Sequence, residues 1–174
     1  MRDNTDPFTL SPDTSAHRTP NDPSATVFTA NATSTLGNPI TYQWYINGSG
    51  PIDTDPNPAN ELHYSNNVCG MYDITCSAID STAKFTASKT VYVQVGYSVA
   101  TPTQPAITLG TTQTVFAPGD IVPLNYTGNL TALTVSGVAA GNIQWDNTVT
   151  IDGKHKASFR MPEGNVTTIT GTFE

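Results

Sequence analysis

Charged side chains are scarce in this sequence of 174 residues: they make up 12% of it, with only seven Lys and Arg against 14 Asp and Glu. The formal charge of −7 argues against the basic surface that nucleic-acid binding requires, so we expect no nucleic-acid partner. The sequence also lacks an apolar run of membrane-spanning length and any sustained 3.6-residue apolar periodicity. We therefore expect neither a membrane partner nor appreciable helix.

Cysteine is almost absent too, since Cys69 and Cys76 are the only two. Two cysteines are too few for a disulfide scaffold. If residues 71–80 are extended, the two lie roughly 20 Å apart, whereas a disulfide needs Cα atoms within about 7 Å. We expect two reduced thiols, as in a protein that folds in a reducing compartment.

Short segments with alternating apolar residues fill much of the chain, and they predict antiparallel strands with one wet face. Such segments are TVFTANA, ITYQWYI, MYDITCSAID and TVYVQV, with a Gly-, Pro- and Asn-rich loop before the third. Their inward positions predict the core of a first domain. These core positions are Phe28, Ala30, Tyr42, Trp44, Tyr72, Ile74 and Cys76.

Proline and turn residues divide the chain into four parts. Residues 1–23 carry four prolines and predict an extended arm with no fold of its own. Residues 24–96 form the first domain, 97–105 a linker, and 106–174 a second small sandwich with a hairpin turn at Asp152-Gly153. The predicted core of the second sandwich is Leu124, Leu133, Val135, Trp145, Ile151, Phe159 and Met161.

Residues 24–96 resemble an immunoglobulin-like domain of the bacterial and phage Ig and PKD type. VFTANA is similar to a B strand, YQWYING to a C strand with its core Trp, and YDITCSAID with TVYVQV to F and G strands. In disulfide-bonded members a B-strand Cys pairs with an F-strand Cys beside the Trp. Here Ala30 stands at the B position, which implies a core packed on Trp44 and Cys76 without a bridge.

The resemblance implies an all-β fold of tandem immunoglobulin-like sandwiches behind an extended N-terminal arm. The C-terminal SFRMPEGNVTTITGTF is also similar to the ending of small β repeats in bacterial surface proteins.

Candidate chemical sites are few. The three histidines, His17, His63 and His155, have no Cys or carboxylate at metal spacing, which favours surface histidines. A loop offers oxygen ligands of the kind that calcium prefers, although prolines interrupt it and a solvated turn is the alternative. These calcium candidates are Asp53, Asp55, Asn57 and Glu61. No nucleophile motif or phosphate-binding loop occurs, so we expect no enzymatic activity and no cofactor.

Two tyrosines are the better indication of binding. Tyr45 and Tyr92 alternate with predicted core positions and therefore point away from the core. Tyrosine suits a binding surface because one end of it is apolar and the other is wet. The alternative is ordinary cross-strand pairing on a solvated face.

These features together predict a structural virion protein that resembles phage capsid decoration proteins. Phe8 and Leu10, the only large apolar residues of the predicted arm, would anchor it to a capsid or other virion protein as a homo-oligomeric assembly, and removal of residues 1–20 would leave both domains folded. Host-surface glycans are possible further partners. The alternatives are a bacterial surface adhesin or carbohydrate-binding module, located at the cell surface after loss of a leader, and a phage tail tube or fibre component.

Overall fold

The computed structural model describes residues 8–34, 36–54, 57–82 and 86–174. In these ranges the chain forms strands and one 3-10 turn, Ala140–Asn142, with no α-helix. The prediction of an all-β fold of tandem immunoglobulin-like sandwiches is confirmed. The chain divides into two compact units, Met1–Val95 (unit 1) and Gly96–Glu174 (unit 2). None of the described residues belongs to a helix that could cross a membrane.

The described residues of unit 1 form eight strands. They are β1 (Phe8–Ser11), β2 (Ala16–Arg18), β3 (Thr26–Ala32), β4 (Ile40–Ile46), β5 (Ser49–Ile52), β6 (Glu61–Tyr64), β7 (Gly70–Asp80) and β8 (Thr86–Val95). Three of them form a sheet in the order β1-β3-β6, and five form a second sheet in the order β2-β8-β7-β4-β5. The pairing of β2 with β8 is parallel, and the others are antiparallel. Two packed sheets with this division of strands are the immunoglobulin-like arrangement.

The core of unit 1 lies between its two sheets and is centred on Trp44, which is 1% exposed. The indole Nε1–H donates to the carbonyl oxygen of Ala59 at 3.0 Å. Cys76 pairs with Trp44 in the register of β4 and β7, and Ala30 belongs to the facing sheet. Of the predicted core residues, Phe28, Ala30, Trp44, Ile74 and Cys76 are buried, while Tyr42 and Tyr72 pack against them at the margin.

The predicted arm is wrong for residues 8–18, because they form β1 and β2 of unit 1. Leu10 is 2% exposed and Phe8 packs against the same core, so both belong to the fold of their own unit. The prediction failed because each strand has only three or four residues and Pro12 separates the two, which leaves no alternation to detect. Residues 1–7 lie outside the described ranges.

Hydrogen bonds of the Arg18 side chain hold this N-terminal segment in unit 1. Its guanidinium is almost fully buried and donates to the carbonyl oxygens of Asn66 at 3.2 Å, Asp22 at 2.6 Å and Ser24. A buried cation must be compensated by hydrogen bonds or an ion pair, and here backbone carbonyls supply the hydrogen bonds.

Unit 2 contains eight strands around a single core. They are β9 (Tyr97–Ser98), β10 (Ile107–Leu109), β11 (Val115–Phe116), β12 (Ile121–Tyr126), β13 (Leu130–Val135), β14 (Ile143–Ile151), β15 (Lys154–Arg160) and β16 (Ile169–Phe173). One sheet has the order β10-β12-β15-β14, and the pairs β13-β16 and β9-β11 complete the sandwich. Every strand contributes a residue to the shared core, including Phe159 of β15, and Met161, just after β15, also belongs to it. Asp152 and Gly153, both with positive φ, form the predicted turn between β14 and β15.

Two predicted core residues of unit 2 are exposed instead, Trp145 by 38% and Ile151 by 50%. Both lie on β14, which ends its sheet and therefore lacks a neighbour on one side. The register of β14 against β15 also shifts between Asp146 and Thr150. Within this bulge Asn147 turns inward, accepting from the Leu130 N–H at 3.1 Å and donating to the Leu130 carbonyl at 2.9 Å.

The predicted linker is wrong at its start. Tyr97 and Val99 are 7% and 4% exposed, and they lie in the core of unit 2. Tyr97 pairs with Phe116, and Val99 bridges to Val166. The chain therefore passes from one unit to the other between Val95 and Gly96. The prolines that suggested a linker follow this point.

Replacing Leu10 tests whether the N-terminal segment belongs to unit 1. We expect Leu10→Ala to lower the free energy of unfolding of unit 1 by about 2–5 kcal/mol, because it opens a cavity in a closed core. The measurement is denaturant unfolding followed by fluorescence in a Trp145→Phe background, where Trp44 is the only remaining tryptophan. Thr9→Ala, on the exposed side of β1, is the control and should change little. Equal denaturant midpoints for Leu10→Ala and Thr9→Ala would contradict the burial of Leu10. Unchanged unfolding of unit 1 after deletion of residues 1–20 would contradict it as well.

The two cysteines should differ in reactivity. Both are free thiols, Cys69 half-buried and Cys76 buried, and burial raises the pKa of the Cys76 thiol to about 12. Because the thiolate is the reactive form, we expect one thiol per native chain to react with a disulfide reagent at about pH 8 and the second only in denaturant. A Cys69→Ser variant should show no native reactivity. Immediate reaction of both thiols would mean that the core opens readily.

Asp80, at the end of β7, should make unit 1 sensitive to acid. Its carboxylate is 2% exposed and accepts hydrogen bonds from Ser34 Oγ at 2.6 Å, Thr82 Oγ1 at 2.7 Å, Thr82 N–H at 2.8 Å and Asn38 Nδ2 at 3.1 Å. The bonds from Ser34 and Thr82, with a smaller effect of Asn38, hold the pKa of this carboxyl well below its usual range.

A depressed pKa means that the stability contributed by ionised Asp80 is complete above the unfolded pKa of about 3.9 and is lost as the pH falls towards the folded pKa. We expect the difference in unfolding free energy between the natural protein and Asp80→Asn to be constant from about pH 5 to 7 and to shrink below about pH 4. Unfolding curves at a series of pH values measure it. A difference independent of pH would show that Asp80 is not held as a carboxylate.

Candidate functional site

The outer surface of the five-stranded sheet of unit 1 carries both tyrosines that the sequence singled out. Inward positions of β7 and β8 are apolar, so the alternate positions face solvent. We call six outward residues of β4, β7 and β8 the tyrosine face: Gln43, Tyr45, Asp73, Thr75, Thr90 and Tyr92. The Tyr92 side chain is 50% exposed, and Tyr45 is half-buried.

Strand register fixes the spacing on this face. Tyr92 lies opposite Asp73, while Thr75 lies between Thr90 on one side and Tyr45 on the other. The two tyrosines are therefore two strands and two residues apart, which corresponds to about 12 Å between their Cα atoms. The hydroxyl oxygens of Thr75 and Thr90 are in hydrogen-bond contact at 2.7 Å. The hydroxyl groups of Thr75 and Thr90 therefore lie beside the line that joins Tyr45 and Tyr92.

Tyr45 is held in place on this face. Its hydroxyl donates to Gln43 Oε1 at 3.0 Å. Its ring also lies close against Gly50 of β5, where an added Cβ would come within 2.9 Å of Tyr45 Cδ1 and 2.6 Å of the Trp44 carbonyl oxygen. Only glycine at position 50 leaves room for this contact, so the ring is fixed before any ligand arrives.

The tyrosine face is nearly uncharged. Among the described outward positions of β4, β7 and β8, Asp73 is the single carboxylate and no Lys or Arg occurs. A ligand on this surface would meet aromatic, hydroxyl and amide groups. These groups suit a neutral partner that offers both apolar and hydroxyl surface.

A second feature of unit 1 is a cleft of about 390 Å³, which is lined by the end of β4, by residues of β5 and β6 and by the segments that follow these two strands. Its inner wall is apolar and consists of residues packed on the core, namely Ile46, Ile52, Leu62 and Tyr64. Its rim is polar and includes Asp53, Asn57, Ser65 and Asn66. We refer to it as the cleft.

The calcium candidates are only partly brought together. Asp53 and Asn57 line the cleft, Glu61 contacts His63 at 3.2 Å, and Asp55 lies outside the described residues. The part of the chain that the structure describes contains no group of three or more His, Cys, Asp or Glu that could hold a metal ion. The three histidines lie in three different strands, β2, β6 and β15. The ring centroid of His155 is 5.2 Å from that of Tyr126.

Unit 2 has a shallow groove of about 380 Å³ along β14 and β15. Its charged groups are engaged within the protein. Lys156 Nζ donates to Asn125 Oδ1 at 2.7 Å, and Asp146 accepts from the hydroxyl and the N–H of Thr148, which lowers the pKa of Asp146.

Sequence reasoning missed β6 and hence Tyr64 and the cleft. The segment ELHY has only four residues, and it lies between loops. The Leu62 and Tyr64 alternation was the only available signal.

No family model and no curated protein matches the sequence. Among solved structures, the SGBP-B protein of a Bacteroides ovatus mixed-linkage glucan utilization locus, solved with a mixed-linkage heptasaccharide, is 14% identical with a TM-score of 0.40 and covers 91% of this chain and 41% of its own. Drosophila N-cadherin EC1-4 is 15% identical with a TM-score of 0.37, over 88% of this chain and 40% of its own. A Parabacteroides merdae β-glucuronidase is 10% identical with a TM-score of 0.39, over 98% and 25%.

The chain spans less than half the length of each of these three proteins. TM-scores of this size assign neither a family nor an activity. The strand order defines the class of protein: an all-β chain of tandem sandwiches, of which unit 1 has the immunoglobulin-like arrangement.

Proposed function

We propose that this protein is a non-enzymatic binding protein and that unit 1 recognises neutral glycans through the tyrosine face. The observation that carries the proposal is the arrangement of Tyr45 and Tyr92 on one outward sheet surface, beside the hydroxyl pair of Thr75 and Thr90 and with one charge in the vicinity. The positions of these residues on one surface and the chemistry of their side chains both support the proposal.

The chemistry of the face matches that of a sugar chain. A pyranose ring has an apolar C–H surface, which packs on an aromatic ring, and hydroxyl groups, which pair with hydroxyl and amide side chains. Because the tyrosines lie about 12 Å apart, one ligand reaches both only if it extends over more than one sugar residue. A polysaccharide or oligosaccharide satisfies this condition.

The same surface is poorly suited to chemistry or to a tight protein interface. Glycoside hydrolysis requires two carboxyl groups about 5–9.5 Å apart, and the tyrosine face has only Asp73. Protein hot spots favour Trp, Tyr and Arg in fully desolvated positions, whereas this face is mostly Thr and Gln beside its two tyrosines.

Both settings predicted from the sequence suit such a module. A glycan-binding unit would serve a phage head or tail that meets a host surface, and it would serve a bacterial surface protein equally. Attachment to a virion would need a surface other than Phe8 and Leu10, since these residues pack in the core of unit 1. Capsid decoration, surface adhesion and a tail location remain predictions.

Substitution of the two tyrosines tests the proposal. The full chain is first screened on an array of neutral glycans, and affinity for the best ligand is then measured by calorimetry. We expect Tyr92→Ala and Tyr45→Ala each to weaken binding about tenfold, because each removes one stacking ring. Trp145→Ala is the control, as it removes an exposed aromatic ring from unit 2. Absence of any glycan ligand, or equal affinity of Tyr92→Ala and the natural protein, would refute the proposal.

A further inference from the structure

We infer that the cleft is a second binding site of unit 1, which accepts a single neutral sugar ring with its apolar side against the inner wall. The inference deepens the proposed function and rests on it for the class of ligand. Its evidence is separate, because the cleft shares no residue with the tyrosine face.

The position of the cleft follows from the strand order. β5 ends the five-stranded sheet and β6 ends the three-stranded one, so the sandwich has no further strand on this side within the described residues. Core-packed side chains of Ile46, Ile52 and Leu62 consequently reach a concave surface. A volume of about 390 Å³ lies within the range of small-ligand sites in proteins.

Tyr64 supplies the independent indication of a ligand. It is 3% exposed, it lines the cleft, and among the described residues its hydroxyl is the one buried side-chain oxygen or nitrogen that lacks a hydrogen-bond partner. Buried polar groups are nearly always paired, since leaving one unpaired costs stability. The hydroxyl is closed to solvent in the free protein, so the ring must shift before a ligand oxygen in the cleft can accept a hydrogen bond from it.

Tyr64 is a hydrogen-bond donor because its hydroxyl stays protonated. Burial raises the pKa of this hydroxyl, and an interaction with the Asn66 side chain, too poorly aligned to count as a hydrogen bond, and the charge of Arg18 offset only part of that rise. Tyr64 therefore keeps its proton at neutral pH and offers it to an acceptor, such as a sugar hydroxyl or ring oxygen.

The rim indicates a neutral, hydroxyl-rich ligand. Asn57 offers a donor and an acceptor, Asn66 has its Nδ2 group as a donor, and Ser65 adds a hydroxyl. Among the described residues of the lining, Asp53 is the only carboxylate, and His63 contacts Glu61 at 3.2 Å. Groups of mixed donor and acceptor character match sugar hydroxyls, which also act both ways. A cation would require several oxygen ligands of higher charge.

The test uses nuclear magnetic resonance of the full chain, titrated with glucose, galactose, mannose and N-acetylglucosamine and with short neutral oligosaccharides. At least one of these probes should give saturable amide shifts in residues 62–66 and 52–54. Tyr64→Phe removes only the hydroxyl, and we expect it to weaken that binding about five- to tenfold. The same variant should unfold at an unchanged or higher midpoint, because the lost hydroxyl has no partner in the free protein.

Tyr72→Phe is the matched control. Its ring lies 6.0 Å from that of Tyr64, but its hydroxyl donates to the Val68 carbonyl at 2.9 Å and does not line the cleft. It should keep sugar affinity and lose a little stability. A second variant, Ser65→Trp, blocks the rim from an exposed position and should abolish the cleft shifts.

The outcomes separate the two ideas. Shifts confined to the tyrosine face would overturn the cleft site and leave the proposed function intact. Equal affinities of Tyr64→Phe and Tyr72→Phe would overturn the role of the hydroxyl. If no probe shifts any amide of unit 1, both the cleft site and the proposed function are wrong.

Discussion

The burial of Trp44 is the constraint on which unit 1 depends. Once its indole lies between the sheets, donating to Ala59, the register of β4 against β7 is set, with Cys76 opposite Trp44. A shift by one residue would move the tryptophan into solvent and every outward side chain into the core. The position of Tyr45 on the outside is therefore a consequence of the burial of its neighbour. No disulfide is needed, since the packed aromatic ring and the facing small residues close the core.

The sequence predicted the parts of this fold in which a long strand has one wet face. β7 has 11 residues and β8 has a similar alternation of apolar and polar residues. The two-residue period of the side chains therefore predicted the burial of Ile74 and Cys76 and the exposure of Tyr92. Short strands carry too few residues for such a pattern. Leu10, in a strand of four residues, was therefore assigned to an arm, and the four-residue strand that contains Tyr64 was not predicted.

Trp145 shows a different limit of sequence reasoning. Its alternation and its size indicate a core residue, and in register it does share a face with the buried Ala157. Its exposure depends on β14 being the last strand of its sheet, which is a property of the whole topology. The inward turn of Asn147 is equally non-local, since its amide bonds to Leu130 of a different strand. Those bonds interrupt β14 and protect a sheet edge against unwanted pairing.

The two sides of the unit 1 sandwich are closed by different means, and this difference separates stability from recognition. On one side β1 and β2 come from one continuous segment that crosses from the first sheet to the second, with Leu10 in the core. Side chains there are bound within the protein, so they contribute to folding. On the other side β5 and β6 belong to different sheets and meet at the cleft, where Tyr64 keeps an unpaired hydroxyl. Among the buried side-chain polar atoms of the described residues, the Tyr64 hydroxyl is the one without a hydrogen-bond partner, so the unused capacity for hydrogen bonding belongs to a residue that lines the cleft.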